Sequence, residues 1–189
     1  TKLLAEKIVV NSNLNKGKKK IIFSVVRFGN VIGTRGSVLP KFIMQAKQNE
    51  SLTVTDKLST RFFVTVNNAV KSILIALNKM KGGEIFIPKT INSVNIYDLA
   101  SVISKDFGNS KKITITGLRS GEKVHEKILT DQEFFNLKIY KNVYLIDNFN
   151  NHKLPNVKNI INYFYSDKAK ILSKNNIIRY LRNNKLLEI

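Results

Sequence analysis

The 189-residue sequence contains no cysteine, only 2 histidines and only 13 acidic residues. The absence of cysteine excludes a disulfide framework and thiolate chemistry, because both require a cysteine sulfur. The histidines and carboxylates form no cluster with metal-ligand spacing, so the sequence predicts no metal site. No apolar run approaches the roughly 18 residues that a membrane-spanning helix needs, so no membrane span is predicted either.

The 13 acidic residues are outnumbered by 32 lysines and arginines, which gives a formal net charge of +19. A charge of this size can indicate a nucleic-acid-binding protein. The excess is mostly lysine spread along the chain, however, and the one dense run, at residues 16–20, lacks the interleaved aromatic side chains on which single-stranded nucleic acid stacks. We therefore interpret the charge as a solvated surface and predict no nucleic-acid partner, although a basic field would attract a small anionic substrate.

The hydrophobic pattern predicts short strands that alternate with helices of roughly 10–15 residues, which is typical of an α/β fold. The continuous apolar run at residues 21–27 predicts a strand buried on both faces. Further strands are predicted at residues 52–55, 62–65, 84–87 and 113–116. Helices are predicted at residues 2–11, 39–49, 67–79, 96–105 and 173–184. Residues 139–165 show no regular pattern.

Side chains that can cap helices mark several of these boundaries. Asn67, Asn95 and Ser173 each precede or open a helical pattern, and Thr130 with Glu133 forms a capping box. The first helical pattern has no such start, because the sequence opens inside it without a methionine. Its apolar face consists of Leu3, Leu4 and Ile8. This opening leads us to expect that the chain continues a longer protein.

Four of the six arginines lie where a predicted element begins or ends: Arg27, Arg35, Arg61 and Arg119. A guanidinium group holds phosphate oxygens through two parallel hydrogen bonds, which an ammonium group cannot do. Two such groups would suit a diphosphate. An ordinary surface arginine at the end of an element remains the alternative for each of the four.

The loop at residues 29–38 directly follows the predicted buried strand. Loops at the carboxyl ends of parallel strands are where open α/β sheets bind ligands. The glycines of this loop would let a ligand approach the backbone, and Asn30 and Ser37 offer neutral hydrogen bonds. Its spacing matches neither a Walker loop nor the Gly-x-Gly-x-x-Gly fingerprint. Taken alone, the loop therefore indicates a ligand without identifying it.

Five segments form a recognisable pattern when they are taken in order along the chain. They are residues 27–40 (RFGNVIGTRGSVLP), 53–63 (TVTDKLSTRFF), 82–86 (GGEIF), 97–100 (YDLA) and 117–126 (GLRSGEKVHE). Together they resemble the bacterial UDP-N-acetylglucosamine 4,6-dehydratases of the extended short-chain dehydrogenase/reductase family. The resemblance covers most of residues 1–136 and, more loosely, the tail. The His125-Glu126 pair resembles the inverting type of these enzymes.

The resemblance implies a fold and a division of the chain. The fold class is α/β, the C-terminal part of a doubly wound Rossmann-type sheet with a small α/β substrate-binding domain. Residues 1–50 would be the remnant of the NADP-binding half, and residues 51–136 the region that binds the UDP-sugar. Residues 137–189 would form a C-terminal tail with the final helix.

The resemblance also implies contacts with an NADP cofactor. Lys2 corresponds to the lysine of the family's Tyr-x-x-x-Lys motif, whose tyrosine would precede Thr1. That lysine is a catalytic and cofactor-binding residue, because it holds the nicotinamide ribose and lowers the tyrosine pKa so that a phenolate can take the sugar 4-hydroxyl proton. Phe28 and Val31 correspond to positions that border the nicotinamide.

Eight further positions correspond to residues that bind the sugar nucleotide in the family. The implied partners are the phosphates for Asn30, the diphosphate for Arg61 and Arg119, and the ribose hydroxyls for Glu122. Ser37 and Val38 correspond to residues that clasp the sugar nucleotide, and Thr53 and Thr55 to residues that border the uracil. His125 is expected to be structural or exposed rather than catalytic.

The function implied by the resemblance is NADP-dependent 4,6-dehydration of a UDP-N-acetylhexosamine for a surface polysaccharide or a flagellin glycan. The full-length enzyme would be cytoplasmic and homo-oligomeric, and this chain alone would be inactive. Three alternatives stay open. They are a UDP-sugar 4-epimerase of the same superfamily, a nucleotide-sugar-binding module without activity, and a nucleic-acid-binding protein.

Overall fold

The computed structural model describes residues 1–140, 142–147, 149 and 161–188. Its helices are α1 (Lys2–Asn11), α2 (Val38–Lys47), α3 (Val66–Lys79), α4 (Ile96–Asp106) and α5 (Lys174–Asn183). Its strands are β1 (Val25–Val26), β2 (Asn30–Val31), β3 (Thr53–Val54), β4 (Thr60–Val64), β5 (Glu84–Pro88), β6 (Asn92–Asn95), β7 (Thr114–Ile115), β8 (Leu137–Tyr140) and β9 (Val143–Asp147). Short 3₁₀ helices lie at Glu133–Asn136 and Ile161–Phe164.

The chain forms two compact units, of which unit 1 consists of residues 1–28, 67–90 and 128–161. Its sheet has the strand order β1-β5-β9-β8, in which β1 and β5 are parallel and the other pairs are antiparallel. A small core forms where Ala76 of α3 packs with Phe86 of β5 and Val143 of β9. The predicted apolar face of α1 is exposed, and Val10 is the buried residue of this helix.

Unit 2 consists of residues 29–66, 91–127 and 162–189. In its larger sheet β4 lies between β2, to which it is parallel, and β6, to which it is antiparallel. Strands β3 and β7 form a second, parallel pair. The apolar faces of α2, α4 and α5 pack together around Phe42, Leu99 and Leu181. This core supplies a rigid base for the strands and loops of unit 2.

Two helix starts confirm the capping predictions. Asn95 Oδ1 accepts the Asp98 N–H at 2.9 Å at the start of α4, and Ser173 Oγ accepts the Asn176 N–H at 3.4 Å at the start of α5. These bonds satisfy N–H groups that have no partner inside the helix. The predicted cap at Asn67 is wrong, because α3 already begins at Val66.

Two other predictions from the pattern are corrected. The strand predicted at residues 21–27 is limited to Val25–Val26, because the Phe23 N–H donates to Asn13 Oδ1 at 3.0 Å. The Phe23 carbonyl accepts both the Asn13 side-chain amide and the Gly83 N–H, each at 2.8 Å. The segment predicted to be irregular, residues 139–165, contains the end of β8 and all of β9. Its residues 141, 148 and 150–160 lie outside the described part of the chain.

The two units are built from separated stretches of chain, so their boundaries differ from the continuous ranges 1–50, 51–136 and 137–189. The predicted cofactor remnant, for example, is divided between unit 1 and unit 2 after Phe28. The tail is also divided, since residues 162–189 belong to unit 2. The functional roles assigned to the three ranges stay predictions.

Candidate functional site

The candidate site begins at the parallel pairing of β2 with β4, where Asn30 lies opposite Phe63. Just before β2, Gly29 lies so close to β4 that a Cβ atom on it would be 2.4 Å from the Phe62 carbonyl oxygen. Glycine is therefore required for this approach. As a result, Asn30 and Arg61 lie on adjacent strands of one sheet.

We expect Gly29→Ala to lower the free energy of unfolding by about 3 kcal/mol, because the clash is with backbone atoms that cannot rotate away. Gly36→Ala is the control, because a Cβ there meets no heavy atom within 4 Å and only the positive φ of 77° opposes alanine. That backbone strain costs about 1 kcal/mol. Urea unfolding of both variants measures the difference, and a smaller loss at position 29 than at position 36 would contradict the close approach.

Arg61 is the centre of a hydrogen-bond network within unit 2. Its Nη1 donates to the carbonyl oxygens of Thr60 and Val124, each at 2.8 Å. Its Nη2 donates to Glu122 Oε1 at 3.2 Å, and its Nε lies 3.7 Å from Glu126 Oε1. The two carbonyls fix the plane of the guanidinium group, while the two carboxylates face the rest of its donors.

Glu122 joins three of the predicted site residues. Its carboxylate accepts hydrogen bonds from Thr55 Oγ1 at 2.9 Å and from the Arg119 backbone N–H at 3.2 Å, besides the bond from Arg61. Burial alone would raise the Glu122 pKa, but these hydrogen bonds and the positive charges of Arg61 and Arg119 together lower it. Glu122 is therefore a carboxylate held in place as an acceptor.

Glu126 connects Arg61 to Asn30. Its Oε2 accepts the Phe62 backbone N–H at 3.0 Å, and its Oε1 accepts the Asn30 side-chain amide at 3.4 Å. The structure thus links Asn30, Arg61 and Glu122 through side chains that come from distant parts of the sequence. Among the residues that the structure describes, no side chain hydrogen-bonds to the Arg119 guanidinium, which is exposed beside Glu122.

The other three predicted substrate residues lie in unit 2 without hydrogen bonds to this network. Ser37 is the residue before α2, and its buried Oγ has no hydrogen-bond partner among the described residues. Val38 is the first residue of α2 and packs against the core. The Thr53 N–H donates to Gln45 Oε1 at 3.3 Å, and Gln45 Nε2 donates to Thr53 Oγ1 at 3.4 Å.

The predicted cofactor residues are divided between the units. Lys2 is the exposed first residue of α1, and Phe28 is the half-buried last residue of the first stretch of unit 1. Val31 belongs to β2 in unit 2. All eight predicted substrate residues, in contrast, belong to unit 2. The roles of Lys2, Phe28 and Val31 stay predictions.

The Arg27 guanidinium group is fully hydrogen-bonded within unit 1, so Arg27 is no longer a candidate for binding phosphate. Its guanidinium group bonds to the carboxylates of Glu6 and Glu133, and its Nη1 donates to the Ile128 carbonyl oxygen at 2.7 Å. Burial alone would lower the Arg27 pKa, but the bonds to both carboxylates raise it. Every nitrogen of this side chain is occupied within unit 1.

Two residues of the network around β4, Glu126 and Ser166, are not among the site residues selected from the sequence. Ser166 Oγ accepts the Glu126 N–H at 2.7 Å and lies 2.7 Å from Thr60 Oγ1. His125 Nδ1 lies 2.8 Å from the same Thr60 hydroxyl. The available signal was the place of Glu126 in the His125-Glu126 pair of the family pattern. Contacts between residues that are 40 to 106 positions apart have no signature in the sequence.

Two features of the described residues bear on metals and membranes. Within residues 1–140, 142–147, 149 and 161–188, no group of three or more histidines and carboxylates could hold a metal ion. Across the same residues, none of the helices has both the length and the apolar character needed to cross a bilayer.

Comparison with known proteins relates residues 1–148 to a family described as polysaccharide biosynthesis protein. A Methanocaldococcus jannaschii protein, named as an uncharacterized membrane protein, is 40% identical over 96% of this chain and 56% of its own length. The inverting UDP-N-acetylglucosamine 4,6-dehydratase of Campylobacter jejuni is 39% identical over 77% of this chain and 42% of its own length. The UDP-glucose 4-epimerase of Rickettsia bellii is 36% identical over the same shares of the two chains.

Among solved structures, Pen from Bacillus thuringiensis superposes with a TM-score of 0.88 at 31% sequence identity, over 97% of this chain and 56% of that chain. This match and the strand pairings confirm the predicted fold class, a Rossmann-type α/β fold. The chain spans only 42% to 56% of the length of these four proteins.

Proposed function

Because the chain belongs to the polysaccharide biosynthesis protein family, we propose that it is the substrate-binding part of an NADP-dependent UDP-N-acetylglucosamine 4,6-dehydratase. The observation that carries the proposal is the network of Asn30, Glu126, Arg61 and Glu122 within unit 2, with the Arg119 guanidinium exposed beside it. Guanidinium groups hold phosphate oxygens through two parallel hydrogen bonds, and a carboxamide adds a neutral donor, so these side chains suit a pyrophosphate.

The geometry of Arg61 suits this role. Because two backbone carbonyls hold its Nη1, the plane of its guanidinium group is fixed before a ligand arrives. Its Nη2 and Nε face Glu122 and Glu126, and the pyrophosphate oxygens would bind along this edge. Arg119 would contribute the second fork, and Asn30, one amide hydrogen of which is held by Glu126, would donate the other to a phosphate oxygen.

Glu122 and the remaining substrate residues would bind the rest of the nucleotide. Glu122, kept ionised by its lowered pKa, would accept hydrogen bonds from the ribose hydroxyls. Thr53 and Thr55, which lie in and just after β3, would border the uracil. Ser37 and Val38 at the start of α2 would clasp the sugar nucleotide. These roles follow from the family pattern and from the placement of all five residues in unit 2.

The family pattern assigns to this chain only contacts with the nicotinamide end of NADP. Lys2, at the exposed start of α1, would hold the nicotinamide ribose, and Phe28 and Val31 would border the ring. The Gly-x-Gly-x-x-Gly turn that binds a pyrophosphate of a dinucleotide does not occur in this sequence. NADP, when bound, would act as the hydride acceptor and donor. The chain alone is therefore expected to bind substrate without turning it over, and the enzyme of which it is part is expected to be cytoplasmic and homo-oligomeric.

Calorimetric titration of this chain with UDP, UMP and a short DNA duplex tests the binding step. We expect saturable binding of UDP, weaker binding of UMP because it lacks the second phosphate, and weak DNA binding at physiological salt. No detectable binding of UDP would overturn the proposal. DNA binding that is tight and steeply salt-dependent would favour the nucleic-acid alternative instead.

The reaction is tested in a longer protein that carries this sequence after a cofactor-binding region. Incubated with NADP and UDP-N-acetylglucosamine, it should release one water and form the 4-keto-6-deoxy sugar, which mass spectrometry and NMR identify. The second candidate function is a UDP-sugar 4-epimerase, which the Rickettsia bellii relative favours. A product that differs from the substrate only at C4 would establish that alternative and refute dehydration.

A further inference from the structure

Ser166, in the tail, is fully buried in unit 2 and hydrogen-bonds to both the carbonyl and the N–H of Glu126. The Ser166 N–H donates to the Glu126 carbonyl oxygen at 2.9 Å, and Ser166 Oγ accepts the Glu126 N–H at 2.7 Å. This pair of bonds fixes the position of the Glu126 backbone relative to the tail.

Ser166 is itself fixed to two strands of the larger sheet. Its Oγ lies 2.7 Å from Thr60 Oγ1 and 3.3 Å from the Thr60 carbonyl oxygen in β4. Its own carbonyl oxygen accepts a hydrogen bond from the Ser93 hydroxyl in β6. Ser166 therefore joins the segment that carries Glu126 to the middle strand of the sheet and to one of its neighbours.

The Glu126 carboxylate is the part of this segment that reaches the candidate site. It accepts the Phe62 N–H at 3.0 Å and the Asn30 amide at 3.4 Å, and it lies 3.7 Å from Arg61 Nε. A shift of the Glu126 backbone would thus change the orientation of Asn30 and Arg61 together. Within the described residues, Ser166 hydrogen-bonds to neither side chain. Its bonds to the Glu126 backbone reach both Asn30 and Arg61, whereas its longer contact with the Thr60 carbonyl, which also accepts Arg61 Nη1, reaches Arg61 alone.

We propose that Ser166 is a positioning residue for pyrophosphate binding, and that it acts through Glu126 on Asn30 and Arg61. The physical cause is the Glu126 N–H, which is left without an acceptor when the Ser166 hydroxyl is removed, so that the segment moves to find another. The inference rests on the proposed function, because it assigns Ser166 to the same nucleotide site. It adds a residue from the tail to a site otherwise formed by residues 29–126.

The test compares Ser166→Ala with Ser59→Ala in this chain. Ser59 is also buried in unit 2, but its Oγ has no hydrogen-bond partner among the described residues, so the same substitution removes no bond. We expect Ser166→Ala to raise the Kd for UDP about tenfold and Ser59→Ala to leave it unchanged. In ¹H–¹⁵N spectra, the Asn30 amide and Arg61 Nε–H signals should shift in the first variant and not in the second.

A double-mutant cycle separates positioning from a general loss of stability. If Ser166 acts through Glu126, adding Ser166→Ala to Glu126→Gln should weaken UDP binding little further, whereas a merely structural role would give additive losses. Wild-type binding of UDP with unchanged binding by Ser166→Ala would overturn this inference and leave the proposed function standing. Failure of the wild-type chain to bind UDP would overturn both.

The single variant Glu126→Gln tests the inference even when Ser166→Ala does not fold, which circular dichroism reveals. Glu126→Gln changes a partly exposed side chain and keeps an acceptor for the Phe62 N–H. It should still weaken UDP binding and shift the signals of Asn30 and Arg61. Unchanged affinity and signals in Glu126→Gln would refute the inference by themselves, because the inference requires the Glu126 carboxylate to orient Asn30 and Arg61.

Discussion

Arg27→Met should lower the free energy of unfolding by about 3–5 kcal/mol at neutral pH. The guanidinium group lies between the carboxylates of Glu6 and Glu133, and the side chains of all three are at least 82% buried, with exposures of 15%, 12% and 18%. Methionine keeps much of the volume but removes the positive charge. Two partly buried carboxylates would then face each other without a counter-ion, and the Ile128 carbonyl would lose its donor.

Arg182→Met is the matched control, because Arg182 also forms an ion pair, with Asp106 at 2.6 Å, but its side chain is 66% exposed. Exposed pairs contribute about 0–1 kcal/mol, since water and salt screen them. Urea unfolding followed by circular dichroism gives both differences. Equal losses for the two variants would show that the Arg27 pair is no more important than a surface pair.

The difference in the free energy of unfolding between wild type and Arg27→Met should also depend on pH. Burial alone would raise the Glu133 pKa, but hydrogen bonds from Arg27 and Thr130 lower it below its ordinary value of about 4.3. A carboxyl group with a lowered folded-state pKa contributes stability that is complete above the ordinary value and is lost as the pH falls through the folded value. The stability gap should therefore narrow between neutral pH and about pH 3, and a constant gap would contradict the ion-pair explanation.

Local signals in the sequence predicted local structure well. The caps at Asn95 and Ser173 depend on side chains that bond three residues ahead, so the pattern itself contains both partners. The strand predicted at residues 21–27 failed for the opposite reason. The backbone of Phe23 bonds to Asn13, ten residues earlier in a polar loop, and no apolar pattern reveals such a competitor.

The same distinction between local and long-range contacts explains why the sequence could not tell a structural arginine from a candidate ligand-binding arginine. Arg27 and Arg61 both lie at ends of strand patterns, and both are half-buried residues with acidic partners. What distinguishes the two arginines is how their acidic partners are arranged in the folded chain. Glu6 and Glu133 together bond to all three nitrogens of Arg27, whereas Nη2 and Nε of Arg61 lie 3.2 and 3.7 Å from the carboxylates of Glu122 and Glu126. The partners that make this difference lie 21 to 106 residues away in the sequence.

Arg61→Ala should raise the Kd of this chain for UDP about 100-fold, because two charge-assisted hydrogen bonds to the pyrophosphate are lost. A second cause adds to the first, since Glu122 and Glu126 would no longer face a positive charge and would repel the phosphates. Arg61→Lys should recover little of the affinity. A single ammonium group cannot hold the Thr60 and Val124 carbonyls and also present two parallel donors.

Repulsion of the phosphates by Glu122 and Glu126 predicts that a second substitution partly restores UDP binding to Arg61→Ala. Loss of the Arg61 hydrogen bonds alone predicts no such rescue. In the double variant Arg61→Ala/Glu126→Gln, one of the two unbalanced negative charges is removed, so UDP should bind more tightly than it does to Arg61→Ala alone. The rescue should shrink as salt is added, because salt screens the repulsion between the remaining charges. Arg182→Ala, at an exposed arginine of α5 paired with Asp106, supplies the control for lost net charge and should leave the Kd unchanged. If Arg61→Ala weakens UDP binding no more than Arg182→Ala does, then Arg61 serves only its internal partners, and the pyrophosphate site proposed around it does not exist.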